Sequence, residues 1–96
     1  MPGLAQPATV RVRVVVSGRV QGVFFRDTCR DVARAEGVAG WVRNRGDGAV
    51  ELELEGPQPA IDRVVAWCHE GPPRARVDHV EVTPVPTVGE RAFRIR

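Results

Sequence analysis

Gly18 and Gly22 stand four residues apart in the run SGRVQGVFFR, from Ser17 to Arg26, and Arg26 follows four residues after the second glycine. Glycine reaches backbone angles closed to other residues, so this run can curl with several N–H groups pointing inward. Such a concavity just ahead of a helix binds anions, because the unbonded N–H groups and the helix dipole both favour negative charge. By the same rule Arg26 is the wrong sign for its place, since helix starts prefer Asp or Glu. A bound phosphate removes the contradiction: it complements the dipole and takes a bidentate grip from the guanidinium. The competing reading is an exposed Arg26 paired with a carboxylate such as Glu36 or Asp62, a weak surface contact of a common kind. The run is not a Walker-type loop, because no Gly-Lys-Ser/Thr follows and no Mg²⁺ ligand is evident.

The elements around this run follow from periodicity. Val10, Val12, Val14 and Val16 alternate with Arg11, Arg13 and Ser17, which predicts a strand with one buried face. From Phe25 the period becomes helical through Cys29, Val32, Ala33 and Glu36, with Arg30, Asp31 and Arg34 on the wet side and Gly37 as the stop. GWVRNRGDGAVELELEG reads as a hairpin around RGDG. Its register follows from parity. Val50, Leu52 and Leu54 share the buried face and Glu51, Glu53 and Glu55 the other; if Val42 is also buried, an odd-length loop over Gly46–Gly48 sets Val42 opposite Leu52 and Arg43 opposite Glu51. Asn44 then lands on the helix-covered side beside the loop end.

GPQPAIDRVVAWCHEG predicts a second helix, entered through prolines, striped by Ile61, Val64, Val65 and Cys68, and closed by Gly71 ahead of Pro72 and Pro73. Val77, Val80 and Val82 give a fourth strand; Phe93 and Ile95 give a short last one after TPVPTVGER. The order β-α-β-β-α-β predicts a ferredoxin-like α+β sandwich, an antiparallel sheet with two helices on one face and a short C-terminal strand. Residues 1–8 read as a loose tail and residues 9–96 as one domain.

Composition narrows the function classes. The 96 residues carry fourteen basic side chains, all arginine, and a formal net charge of only +2, which does not suit a protein that coats nucleic acid. A sheet that stacks RNA bases needs aromatics on its open face, whereas Glu51, Glu53 and Glu55 would repel phosphates there. No stretch is long and apolar enough to span a membrane, and the first residues lack the regions of a signal peptide, so a cytoplasmic location is expected. Cys29 and Cys68 lie far apart without metal-ligand spacing and read as small buried thiols; a bridge between them is the alternative, disfavoured in a reducing compartment. His69, at a helix C-terminus, and His79, on a wet strand face, read as bystanders.

GRVQGVFFR followed by GWVRNRGDGAVELELEG resembles the acylphosphatase family, and the similarity runs from Val10 to Arg96. The resemblance implies a phosphate loop at Gly18, Arg19, Val20, Gln21, Gly22, Val23, Phe24 and Phe25, an essential arginine at Arg26 and a water-positioning asparagine at Asn44. It implies hydrolysis of a carboxyl–phosphate mixed anhydride without metal, cofactor or covalent intermediate. Inorganic phosphate or sulfate would compete with the acyl phosphate substrate, and the chain would act as a monomer. The chemistry is consistent with those residue types. The leaving carboxylate has a conjugate acid of pKa about 4, so no general acid is needed. The phosphoryl oxygens need concentrated positive charge. The water needs aiming, which an amide that donates and accepts can do. An asparagine at a strand end also commonly bonds its own turn, and that reading stays open for Asn44. A non-catalytic, anion-binding accessory domain of the same fold is the alternative function.

Overall fold

In the computed structural model, which describes residues 8–96, strand β1 runs from Thr9 to Arg19 and buries Val12, Val14 and Val16 on one face. The expected N-terminal tail lies, except for Ala8, outside the described residues. Helix α1 (Phe25–Ala35), strands β2 (Ala39–Asn44) and β3 (Val50–Pro57), helix α2 (Gln58–Glu70) and strands β4 (Arg76–Val85) and β5 (Phe93–Ile95) follow in the expected order. The sheet order is β4-β1-β3-β2-β5. The four longer strands pair antiparallel, while β5 adds to the free edge of β2 in parallel, which makes the sheet mixed.

The hairpin register is the one parity requires, with Val42 across from Leu52, Arg43 from Glu51 and Asn44 from Val50. Val42, Val50, Leu52 and Leu54 are wholly buried against the helices together with Phe25, Cys29, Ala33, Ile61, Val64 and Cys68. Each side chain of valine or leucine size removed from water there contributes about 1.5–3 kcal/mol. Helix α1 stops where Gly37 takes φ 71°: its N–H donates to the Arg34 carbonyl and that of Val38 to Ala33, a Schellman closure. Cys29 and Cys68 are free and buried; the neighbouring Cys68 thiol and burial push the Cys29 thiol well above its ordinary range. Among the described residues no helix is long and apolar enough to cross a membrane.

Two features depart from simple alternation. Val77 and Val80 pack against the core from an odd separation, which is possible because the β1–β4 register shifts between Ser17 and Gly18. Arg11, expected on the wet face, is buried at 4 % exposure beside Glu55 at 5 %. The segment joining β4 on one edge to β5 on the other covers them: the N–H groups of Val88 and Gly89 both donate to the Glu55 carboxylate at 2.9 Å. Arg11 donates to Glu53 and Glu55 at 2.8 Å each, and Glu90 lies 3.7 Å away.

Candidate active site

The path from β1 to α1 is fixed by alternate anchoring. Gly18 takes φ 130° because β4 presses against it: a Cβ there would fall 2.2 Å from the Arg76 carbonyl oxygen. Val20 and Val23 bury their side chains, leaving Gly22 and Phe24 exposed and Gln21 half-buried. Gly22 turns the chain at φ 73°, and Phe24 turns it again in the left-handed region at φ 65°, ψ 25°. Phe25 then enters the core, its ring 5.0 Å from that of Trp67 on α2, and this contact holds the first turn of α1. Arg26, the next residue, is thereby set at the helix start, exposed to solvent.

Several donors here are left over. Phe24, as helix N-cap, makes no side-chain cap, and among the described residues no main-chain carbonyl accepts from the N–H groups of residues 21–24. The first N–H groups of any helix also lack an intrahelical acceptor. Arg26 adds a full charge. Its expected competitors are engaged elsewhere: Glu36 pairs with Arg63 at 2.6 Å and Asp62 accepts from Gln58. Among the described residues no ion pair involves Arg26.

Asn44 ends β2 half-buried on the helix side. Its turn is closed by other groups: Arg45 N–H donates to the Ala49 carbonyl, and Ala49 N–H donates to the Asp47 carboxylate. That last bond, with help from Arg45, lowers the Asp47 pKa. The side-chain amide of Asn44 is therefore not spent on its own turn.

A cleft of about 270 Å³ brings Val20, Gly22, Phe24, Phe25, Arg26 and Asn44 together. Of the residues expected in the site, Gly18, Arg19, Gln21 and Val23 do not line it. Gly18 and Arg19 are still in β1, paired with Val77 and Arg76. Asp27 lines the cleft without having been singled out; its signal was available, since an acidic residue suits the first turn of a helix. Gln21 has a role that its neighbours in sequence do not reveal. Its amide nitrogen donates to the carbonyls of Arg45 and Ala49 at 2.7 and 2.9 Å, tying the loop to the turn that follows Asn44. A second cleft, lined by Arg34 and Arg91 among others, has its Arg34 guanidinium already donating to the Phe93 carbonyl.

A model of one protein family, acylphosphatase, matches residues 12–95. The chain belongs to the acylphosphatase family. An acylphosphatase of Rubrobacter xylanophilus is 60% identical over 92% of this chain and 81% of its own length. One of Anaeromyxobacter dehalogenans is 58% identical over 91% of this chain and 95% of its own. The solved acylphosphatase of Coxiella burnetii superposes with a TM-score of 0.89 at 39% identity, covering 92% of this chain and 93% of that one. The acylphosphatase match thus spans the loop, Arg26 and Asn44 alike.

Proposed function

We propose that the chain hydrolyses acyl phosphates to a carboxylate and inorganic phosphate by direct attack of water, with the phosphoryl group held in the cleft between residues 20–26 and Asn44. The observation that carries this reading is the convergence of an unpaired Arg26, an uncapped helix start and an uncommitted amide in one cleft. The N–H groups and Arg26 neutralise the phosphoryl oxygens as charge spreads over them in a loose transition state. Asn44 accepts a hydrogen bond from the water through its carbonyl and so aims the water oxygen at phosphorus. The new P–O bond forms as the acyl C–O–P bridge breaks at phosphorus. The bond pair leaves with the carboxylate, and the water protons pass to phosphate oxygens and solvent.

The reading carries further expectations: no cofactor or metal, phosphate and sulfate as competitors, a cytoplasmic monomer, and no nucleic-acid partner. The last is supported by the open sheet face, where Arg13 and Arg43 are paired with Glu53 and Glu51 and Trp41 is buried beneath the guanidinium of Arg96, 4.5 Å from its ring. Among the described residues bases would find no free Phe, Tyr or Trp on that face. Acetyl phosphate, incubated with the protein in excess EDTA, should be hydrolysed at the same rate as without chelator. Binding of phosphate without turnover would favour the accessory-domain reading instead; turnover lost to EDTA and restored by Mg²⁺ would overturn the metal-free mechanism.

A further inference from the structure

Phe24 is anomalous in two ways at once. Among the described residues it is the one non-glycine with positive φ, a conformation that glycine adopts freely and a bulky side chain does not. It is also 68 % exposed, an aromatic that adds nothing to the core. Its neighbours Val23 and Phe25 do the anchoring, and Thr28 holds the Phe24 carbonyl through its N–H at 3.2 Å and its hydroxyl at 2.8 Å. The fold thus keeps a strained residue whose ring stands in solvent, on the lining of the same cleft as Arg26 and Asn44. Strain maintained at a cleft points to use there.

The reaction indicates what the use is. In-line attack puts water and leaving group on opposite sides of phosphorus. With the water on Asn44, at the end of β2, the acyl group would depart on the side away from it, and Phe24 lines the same cleft at the start of α1. We infer that the Phe24 ring is the acyl-side wall of the cleft and makes the enzyme select acyl phosphates whose acyl group offers a flat apolar face, aromatic acyl groups above all. This rests on the hydrolase reading. The backbone that carries the ring is fixed before substrate arrives, through the two bonds from Thr28 to the Phe24 carbonyl, and ring–ring contacts have the strength needed for discrimination.

The test compares kcat/KM for benzoyl phosphate and acetyl phosphate in the unaltered protein, Phe24→Asn and Phe24→Tyr. Asparagine tolerates the left-handed backbone and removes the ring; tyrosine keeps the ring. The unaltered protein should prefer benzoyl phosphate, and Phe24→Asn should lower the benzoyl-to-acetyl ratio by about fivefold. Tyrosine should hold the ratio. The ratio within one variant cancels any disturbance common to both substrates. Phe24→Asn should also unfold at no lower urea concentration than the parent, so that lost selectivity accompanies an intact fold. An equal ratio in parent and Phe24→Asn overturns this inference while leaving hydrolysis standing. A parent protein that cleaves neither substrate overturns the hydrolase reading and this inference with it.

Discussion

Arg26→Ala should lose both turnover of acyl phosphates and inhibition by inorganic phosphate, whereas Asn44→Ala should keep phosphate inhibition and lose about two to three orders of magnitude in kcat. The asymmetry follows from what each group touches. Arg26 stands at an uncapped helix start with no carboxylate partner among the described residues, so its charge is available to the phosphoryl group in ground and transition states alike. Asn44 carries no charge and lines the cleft from the end of β2, and in the proposed mechanism it addresses the water rather than the phosphate. Neither side chain is among the fully buried ones, so both variants should unfold cooperatively near the parent midpoint. Equal losses of phosphate affinity in the two variants would contradict the division of roles. A normal kcat in Asn44→Ala would remove Asn44 from the mechanism.

The second large effect is on stability. Arg11→Met leaves the carboxylates of Glu53 and Glu55 with one fewer cation, and Glu55 is buried. Breaking a buried ion pair from one side costs about 3–5 kcal/mol, a large part of the total for a domain of this size. The pH dependence distinguishes this cause from lost packing. In the parent protein the Glu55 pKa is lowered, first by the Val88 N–H and, against burial, by Arg11 and the Gly89 N–H. Burial pushes Glu53 up, but Arg11 and Arg13 outweigh it and the net shift is downward. A depressed folded pKa contributes stability that is fully present above the unfolded value, about 4.3 for Glu, and is lost as pH falls through the folded value. Urea midpoints of the parent should therefore hold from pH 7 to about 5 and fall below about 4. The deficit of Arg11→Met should be greatest near pH 7 and shrink in acid, where the carboxylates are neutral in both proteins. A deficit independent of pH would assign the loss to packing alone.

Arg11 also marks where sequence reading stops. Its alternation with valines placed it correctly on the face opposite the helices, but the cover over that face comes from Val88, Gly89 and Glu90, more than seventy residues later. Local periodicity carries no information about a loop crossing from one sheet edge to the other. The parallel pairing of β5 has the same origin. The β4 pattern was legible in composition but not in register, because the shift at Ser17 and Gly18 comes from two strands meeting. The hairpin register was legible given a buried Val42 and a loop over Gly46–Gly48, and the structure has both the burial and the pairing. Arg26 stood out because it breaks a local rule, and such breaks gather at functional sites. Gln21 was not, since its partners are two main-chain carbonyls that no side-chain pattern encodes.

Backbone amide shift mapping with inorganic phosphate shows where the phosphoryl group binds. With the site at residues 20–26, the largest, saturable shifts should fall at the N–H groups from Val20 to Arg26, with smaller ones at Asn44, and all should be lost in Arg26→Ala. Largest shifts at the second cleft, around Arg34 and Arg91, or loop shifts that persist without Arg26, would contradict that placement.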